Sequence, residues 1–352
     1  EHPPVECVFT TEEEVGLNGA KALDKSVLKA RTMINMDSED EGVATVSCAG
    51  GLRVQFTKEI QRTTVQGSLL TLKVEGLLGG HSGQDIDKER QNADLLMARM
   101  IQRLLKETKG QLVSFNGGTK DNAIPRECEA SLIYESDEEA AKAEELACEL
   151  AETYAEELTP AEPDFSCEIS CETNRTAEAI PQDAAKEFIC AMRLAPNGIQ
   201  KRNIKMDGFV VVSLNLGVVR TEEDRIVMIF SPRSSVASLQ EDTKERLNTL
   251  AETFGFTVSH SSEYPGWSFK EDSPVREICK ESYKELFGED LKIEAIHAGL
   301  ECGLFSDAIK GLDAIAIGPT IANCHTPDEY LTLDSFERFY EFLKDILSRL
   351  AK

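Results

Sequence analysis

Leu69-Leu70-Thr71-Leu72-Lys73-Val74-Glu75 is the stretch on which the reading of the fold turns. Its apolar and polar residues alternate, which reads as a strand. A helical pattern over Ile86–Thr108 follows, then strands at Gln111–Phe115 and Cys128–Tyr134. A second helix over Asp137–Leu158 and a strand at Phe165–Cys171 complete the run. That order, β–α–β–β–α–β, is the split arrangement of ferredoxin-like domains. Helix 137–158 carries Ala140, Ala141, Leu146, Ala147, Leu150 and Tyr154 as an inner stripe, and its acidic face reads as solvated surface.

Working outward, a helix at Gln182–Leu194 is followed by a hairpin, Gly208–Val219 and Arg225–Phe230. Helix Val236–Phe254 and strand Thr257–Ser261 come next. No linker rich in Pro, Gly or Ser intervenes, so these elements extend the same domain. The flanks have another rhythm. Val5–Thr10 reads as a buried strand, Glu12–Gly19 as a turn, Gly19–Lys29 as a short helix and Thr32–Met36 as a second strand. The acidic loop from Asp37 to Gly42 closes that segment. At the far end, helix Val275–Phe287, strands Ile293–Ile296 and Ala314–Ile317, and helix Ser335–Leu350 look like the other half of one sheet. The expected fold is an α/β domain, 1–52 and 266–352, interrupted by an α+β ferredoxin-like insertion at 53–265.

Composition narrows the function. Among 352 residues, 41% are apolar and 29% charged, enough for a sizeable core. Lys and Arg number 38 against 63 Asp and Glu, a net charge of −25 that repels phosphates and disfavours nucleic acid or anionic membrane as partner. No apolar run approaches the roughly 20 residues of a membrane span. The ten cysteines are scattered without a CxxC pair, as in buried thiols of a reducing cytoplasmic compartment. The chain opens Glu-His-Pro-Pro, without Met, and runs at once into a strand pattern, so an N-terminal portion of this domain is expected to be missing.

The five histidines can be weighed one by one. His2 stands beside prolines at the terminus, and His260 reads as surface. His81 lies in Gly79-Gly80-His81-Ser82-Gly83, exposed to whatever approaches that loop. The glycine spacing there fits neither a dinucleotide-binding nor a P-loop pattern. His297 and His325 each follow an apolar strand, a place where structural histidines outnumber ligands. Glu12-Glu13-Glu14 follows one expected strand and Asp37 ends the next, at the carboxyl edge where α/β enzymes gather ligands. A metal hydrolase needs Asp, Glu and His ligands plus one further carboxylate to take a proton from water. The glutamates alone read more readily as a solvated acidic turn than as a ligand cluster.

Longer motifs decide between these. Thr11-Glu12-Glu13-Glu14-Val15-Gly16-Leu17-Asn18-Gly19-Ala20, Ile34-Asn35-Met36-Asp37-Ser38-Glu39 and Gly79-Gly80-His81-Ser82-Gly83 resemble the co-catalytic zinc aminopeptidase and carboxypeptidase family. Asn122-Ala123-Ile124-Pro125, Tyr264-Pro265-Gly266-Trp267, the run from His297 to Gly303, and Gly318-Pro319-Thr320 with His325-Thr326-Pro327-Asp328-Glu329 resemble its aminoacyl-histidine (Xaa-His, carnosine-cleaving) dipeptidase branch. The order and spacing match over essentially the whole chain.

The resemblance implies Glu13 as general base, Glu14 and His325 as ligands of one zinc, and Asp37 as ligand of the other. Manganese or cobalt would suit the same donors. It implies that the insertion is a lid that mediates a homodimer. His81 would be a lid histidine that stabilises the oxyanion, delivered by lid closure or by a partner subunit. Asn122 and Arg233 would hold the backbone and carboxylate of a dipeptide substrate, although Arg233 reads equally as a surface residue before a helix. Gly299 would line the pocket, with His297 and Glu301 behind it. Family members also carry a His-X-Asp motif and a metal-bridging Asp ahead of the Glu-Glu pair. Neither stands in residues 1–12, so these residues alone are expected to bind metal weakly and to be inactive. Two alternatives remain: a deacylase or tripeptidase of the same fold, and a non-catalytic dimerising scaffold.

Overall fold

The computed structural model describes residues 1–13, 16–204, 208–324 and 326–351. They form two compact units. One comprises Glu1–Gly51, Ser234–Ala237 and Tyr264–Lys352; the other comprises Leu52–Arg233 and Ser238–Glu263.

Val5–Thr10 is not a strand, and Val5 and Phe9 are 49% and 89% exposed. An isolated extended segment gains neither ladder hydrogen bonds nor a buried face, and no described strand pairs with it. The expected helix 19–29 is also shorter. Helix α1 spans Asn18–Ala22, Leu23 turns extended, and a 3₁₀ turn at Lys25–Val27 is capped by Asp24. Strands β1 (Thr32–Asn35) and β2 (Val43–Cys48) follow, and the chain then leaves for the second unit.

Within the second unit, β3 (Gly50–Glu59) and β4 (Thr63–Glu75) precede a loop carrying the two-residue strand β5 (Gly80–His81). The helix expected from Ile86 begins later, as α2 (Ala93–Glu107), because the Asn92 side chain accepts the N–H groups of Asp94 and Leu95 and caps it there. Then come β6 (Gln111–Gly117), β7 (Ala123–Ile124), β8 (Cys128–Tyr134), α3 (Asp137–Leu158) and β9 (Ser166–Ala179). Helix α4 (Gln182–Leu194), β10 (Gly198–Asn203), β11 (Phe209–Thr221), β12 (Arg225–Ser234), α5 (Ala237–Thr253) and β13 (Thr257–Tyr264) complete it. The strands form a nine-stranded sheet ordered β13–β3–β12–β11–β6–β8–β4–β9, with β10 on β11.

This sheet holds two ferredoxin-like halves. The run β4–α2–β6–β8–α3–β9, expected from the sequence, gives the order β6–β8–β4–β9 with antiparallel pairing throughout. The elements β3, α4, β11, β12, α5 and β13 give β13–β3–β12–β11, the same order of first, second, third and fourth strand. The first half is therefore inserted between the first strand and first helix of the second. Both halves offer their second strand, β6 and β11, to an antiparallel junction at Val219 and Gly117. One core of Phe, Leu, Met and Ile side chains fills the unit, including Phe56 against Phe230 with ring centroids 4.8 Å apart.

Back in the first unit, α6 (Pro274–Phe287), β14 (Lys292–Ile296), α7 (Glu301–Ala308), β15 (Asp313–Ala316) and α8 (Leu333–Leu350) finish the chain. The C-terminal strands do complete the first sheet, ordered β1–β15–β2–β14, with β15 parallel to β1 and β14 parallel to β2.

Asp94, in the first turn of α2, has neither carboxylate oxygen hydrogen-bonded among the described residues and is fully buried. Its Oδ1 lies 1.6 Å from where a Cβ on Gly117 would stand, so that glycine makes room for it. Burial raises its pKa to about 8, with the Cys128 thiol and Arg220 opposing the shift. A carboxyl that holds its proton more tightly folded than unfolded loses stability as pH rises from about 4 to about 8. Asp94→Asn is isosteric and always neutral. Thermal melts should show it gaining stability over the parent across that window and levelling off above it; a pH-independent difference would contradict the assignment.

Candidate active site

The acidic turn folds back on itself. The Glu13 carbonyl accepts the N–H groups of Gly16 at 3.1 Å and Leu17 at 2.8 Å, and Gly19 N–H donates to Thr11 O at 2.9 Å. A Cβ on Gly19 would stand 2.3 Å from that same Thr11 oxygen, so this approach needs glycine. Asn18 Nδ2 holds the Glu12 carboxylate at 3.1 Å. Glu13 is thus half-buried on a short closed turn leading into α1. Glu14, assigned above as a metal ligand, lies outside the described residues.

Asp37 leaves the carboxyl end of β1, its N–H donating to Asn35 Oδ1 at 3.0 Å, and is exposed. The segment after β15 runs alongside it. Ile317 N–H donates to Asn35 O at 3.0 Å, Ile321 N–H to Glu39 O at 2.9 Å, and a Cβ on Gly318 would lie 1.8 Å from Ser38 O. The loop bearing Asp37 and the segment leading towards residue 325 are therefore neighbours. His325 itself lies outside the described residues.

The run from His297 to Gly303 packs in the same unit. Ala49 N–H donates to Ala298 O at 3.0 Å, and Gly299 lies against Tyr264, where a Cβ would come within 2.9 Å of the ring. His297 and Glu301 are both buried, and Glu301 Oε1 has no hydrogen-bond partner among the described residues. Burial pushes the Cys302 thiol well up, and Cys48, Glu301 and Asp37 add to the effect, so both carboxylates act on that thiol. Among the described residues no three His, Cys, Asp or Glu side chains are placed to hold a metal. Of the three expected ligands only Asp37 is described, and its exposed carboxylate is a hard oxygen donor suited to a divalent ion.

The second unit brings together the remaining candidates. His81 pairs with Ala123 in the β5–β7 ribbon, and Ser82 N–H donates to Asn122 O at 2.8 Å. Asn215 Nδ2 holds the β7 turn through Asp121 O at 3.2 Å and Ala123 O at 2.8 Å. Two backbone donors, Gly83 N–H at 3.3 Å and Gln84 N–H at 3.1 Å, point at His81 Nδ1. Nδ1 must then be the acceptor, which puts the proton on Nε2 and makes the ring a neutral donor. Burial lowers its pKa, and the positive charge of Arg233 lowers it further, with Asp85 opposing. Arg233 is the penultimate residue of β12 and is 7% exposed, so it is not the surface residue that the sequence allowed.

The profile of Peptidase family M20/M25/M40 matches residues 1–349. The chain belongs to this family. As a member it is a hydrolase acting on peptide bonds. It is 33% identical to the "Cytosol non-specific dipeptidase" of Escherichia coli (strain K12) over 99% of this chain and 72% of that one. Among solved structures, the aminoacylhistidine dipeptidase from Vibrio alginolyticus superimposes with a TM-score of 0.92 at 34% identity, covering 97% of this chain and 69% of that one. The resemblance read from the motifs and the fold class inferred with it are both borne out. Asp85 escaped the sequence reading, although it stands four residues after His81; its carboxylate accepts the His81 N–H at 2.8 Å.

The tautomer has a measurable consequence. Protonating Nδ1 would set its N–H against those of Gly83 and Gln84, so ¹⁵N NMR of the imidazole should show an Nε2–H tautomer titrating below the ordinary value near 6.5. A midpoint above that value would contradict the arrangement.

Proposed function

We propose that this peptidase is a metal-dependent dipeptidase acting on unblocked dipeptides, Xaa-His and β-Ala-His among them. The observation that carries the reading is the likeness, over nearly the whole chain, to two proteins described as dipeptidases. Glu14, Asp37 and His325 would hold divalent metal, zinc or in its place manganese or cobalt. Bound metal supplies charge that polarises the scissile carbonyl and acidifies water.

The chain's own side chains do the rest. Glu13 takes the proton from the attacking water and returns it to the leaving amine. His81, neutral and carrying its proton on Nε2, donates to the carbonyl oxygen as that oxygen gains charge. A neutral donor needs no proton transfer of its own, which suits a group required at the same protonation state throughout the cycle. Arg233 offers a planar fork to the substrate carboxylate and Asn122 an amide to its backbone, while Gly299 leaves room in the pocket wall.

The second unit is a lid through which a homodimer forms. In support, its sheet ends at β9, which spans Ser166–Ala179, and a long edge strand is a ready surface for pairing with a second copy. A cytoplasmic location is supported by the description of the Escherichia coli relative and by ten free cysteines. No helix among the described residues is long and apolar enough to cross a membrane.

Two experiments test the reading in enzyme with its full ligand set. Assays of β-Ala-His, other Xaa-His dipeptides, tripeptides and N-acetyl amino acids side by side should favour the free dipeptides; preference for the acetylated substrates would make it a deacylase. Glu13→Gln should keep its metal and lose on the order of 10²–10⁴-fold in kcat, and His81→Ala on the order of 10²–10³-fold with metal content unchanged. Near-normal kcat at full metal occupancy in the Glu13 variant would remove that residue from the role of base.

A further inference from the structure

The loop that presents His81 leaves β4 at Glu75 and enters α2 at Ala93. Both of its ends meet a single side chain. Glu162 is 2% exposed, and its Oε2 accepts Leu78 N–H at 2.7 Å while Oε1 accepts Gln91 N–H at 2.9 Å. The turn carrying Glu162 is itself pinned to the sheet. Glu162 N–H donates to Leu158 O at 2.9 Å, Phe165 N–H donates to Glu162 O at 3.2 Å, and a Cβ on Gly76 would stand 1.9 Å from Asp164 O. Just ahead of the clamp, Arg126 Nε donates to Leu77 O at 2.9 Å; within it, Arg90 Nη1 donates to Gly79 O at 2.5 Å and Asp85 accepts the His81 backbone N–H. Arg90 and Asp85 within the loop, and Arg126 and the β7 ribbon outside it, shape the loop; the Glu162 carboxylate fastens both of its ends to the turn after α3.

We infer that Glu162 is a positioning residue for His81, closing the loop through one carboxylate so that the Nε2–H is held at a fixed place. The inference rests on the reading of His81 as the oxyanion donor. A carboxylate is needed because both backbone groups are donors. An amide would give one of them an oxygen and turn its own NH₂ towards the other. Errors in placement are costly for such a group, since a shift of about 1 Å can lower the rate roughly 10²-fold.

The test is a double-mutant cycle on kcat/KM in the metal-loaded enzyme, joined to ¹⁵N NMR of the His81 ring. Glu162→Gln should lower kcat on the order of tenfold with KM nearly unchanged, and should broaden or mix the imidazole tautomers. Added to His81→Ala, it should cost nothing further, because the group it positions is gone. An equal loss with and without His81 would make Glu162 merely structural and overturn the inference. If Glu162→Gln does not fold, Glu162→Asp keeps the charge but is one methylene too short to reach both donors, and the same non-additivity is required of it. Unchanged turnover in His81→Ala would instead sink the oxyanion reading, and the tautomer spectrum of the Glu162 variant would still decide the positioning role on its own: a mixed spectrum supports it and an unaltered one overturns it.

Discussion

A long excursion of the chain must begin and end at one point, and the structure depends on how that point is built. The chain leaves the first unit after Gly50-Gly51, rejoins it briefly at Ser234–Ala237, and returns finally at Tyr264-Pro265-Gly266-Trp267. Cys48 and Trp267 exchange backbone hydrogen bonds at 3.0 and 2.9 Å, and Ser47 Oγ donates to the same Trp267 oxygen at 2.7 Å. The approach is so close that side chains are excluded. A Cβ on Gly266 would meet Ser234 O at 2.6 Å and Gly50 N at 2.7 Å, and one on Gly51 would meet the Tyr264 hydroxyl at 2.8 Å. Tyr264 also packs on Gly299, so the same corner that closes the excursion shapes the run from His297 to Gly303. Glycine at 266 is a steric requirement set by backbone atoms, whereas a side chain at 51 or 299 would have to displace the Tyr264 ring.

Nesting one ferredoxin-like half inside another has a further effect. Both halves spend their second strands on the junction between β6 and β11, which removes two potential edges from solvent. The short β5–β7 ribbon that carries His81 and Asn122 is tied to β11 through Asn215, whose side chain holds the carbonyls of Asp121 and Ala123. Candidate catalytic groups on loops are thus referred to the rigid sheet by side-chain-to-backbone bonds, the usual way a loop gains precision.

Two buried acids show how local donors decide a carboxyl's role. Asp94 sits where every N–H of the first turn of α2 already has an acceptor, in Asn92 or the Pro125 carbonyl, so it faces a thiol and a glycine and is kept neutral. Glu162 faces two unspent backbone donors and accepts both. The residue types are nearly equivalent and the burial is similar; the supply of N–H groups differs.

The sequence by itself determined the family, the α/β domain with a ferredoxin-like insertion, and most helices to within a residue or two, because capping and periodicity are local. Helix α3 over Asp137–Leu158, with Ser136 as its cap, is the clearest instance. Residues 43–59 gave no expectation, yet they form β2 and β3, and β3 supplies the first strand of the second half-domain. Strand identity there depends on partners far along the chain, which no local window contains. The same holds for Val5–Thr10, apolar enough for a strand but unpaired, and so not one. At the candidate site, His81 was legible from its glycine-flanked motif. Its tautomer was not, since that depends on where the N–H groups of Gly83 and Gln84 point. Glu162 left no sequence signal at all: it lies 81 residues from His81, and only the packing of the α3 terminus against the end of β4 brings its carboxylate to both ends of the loop.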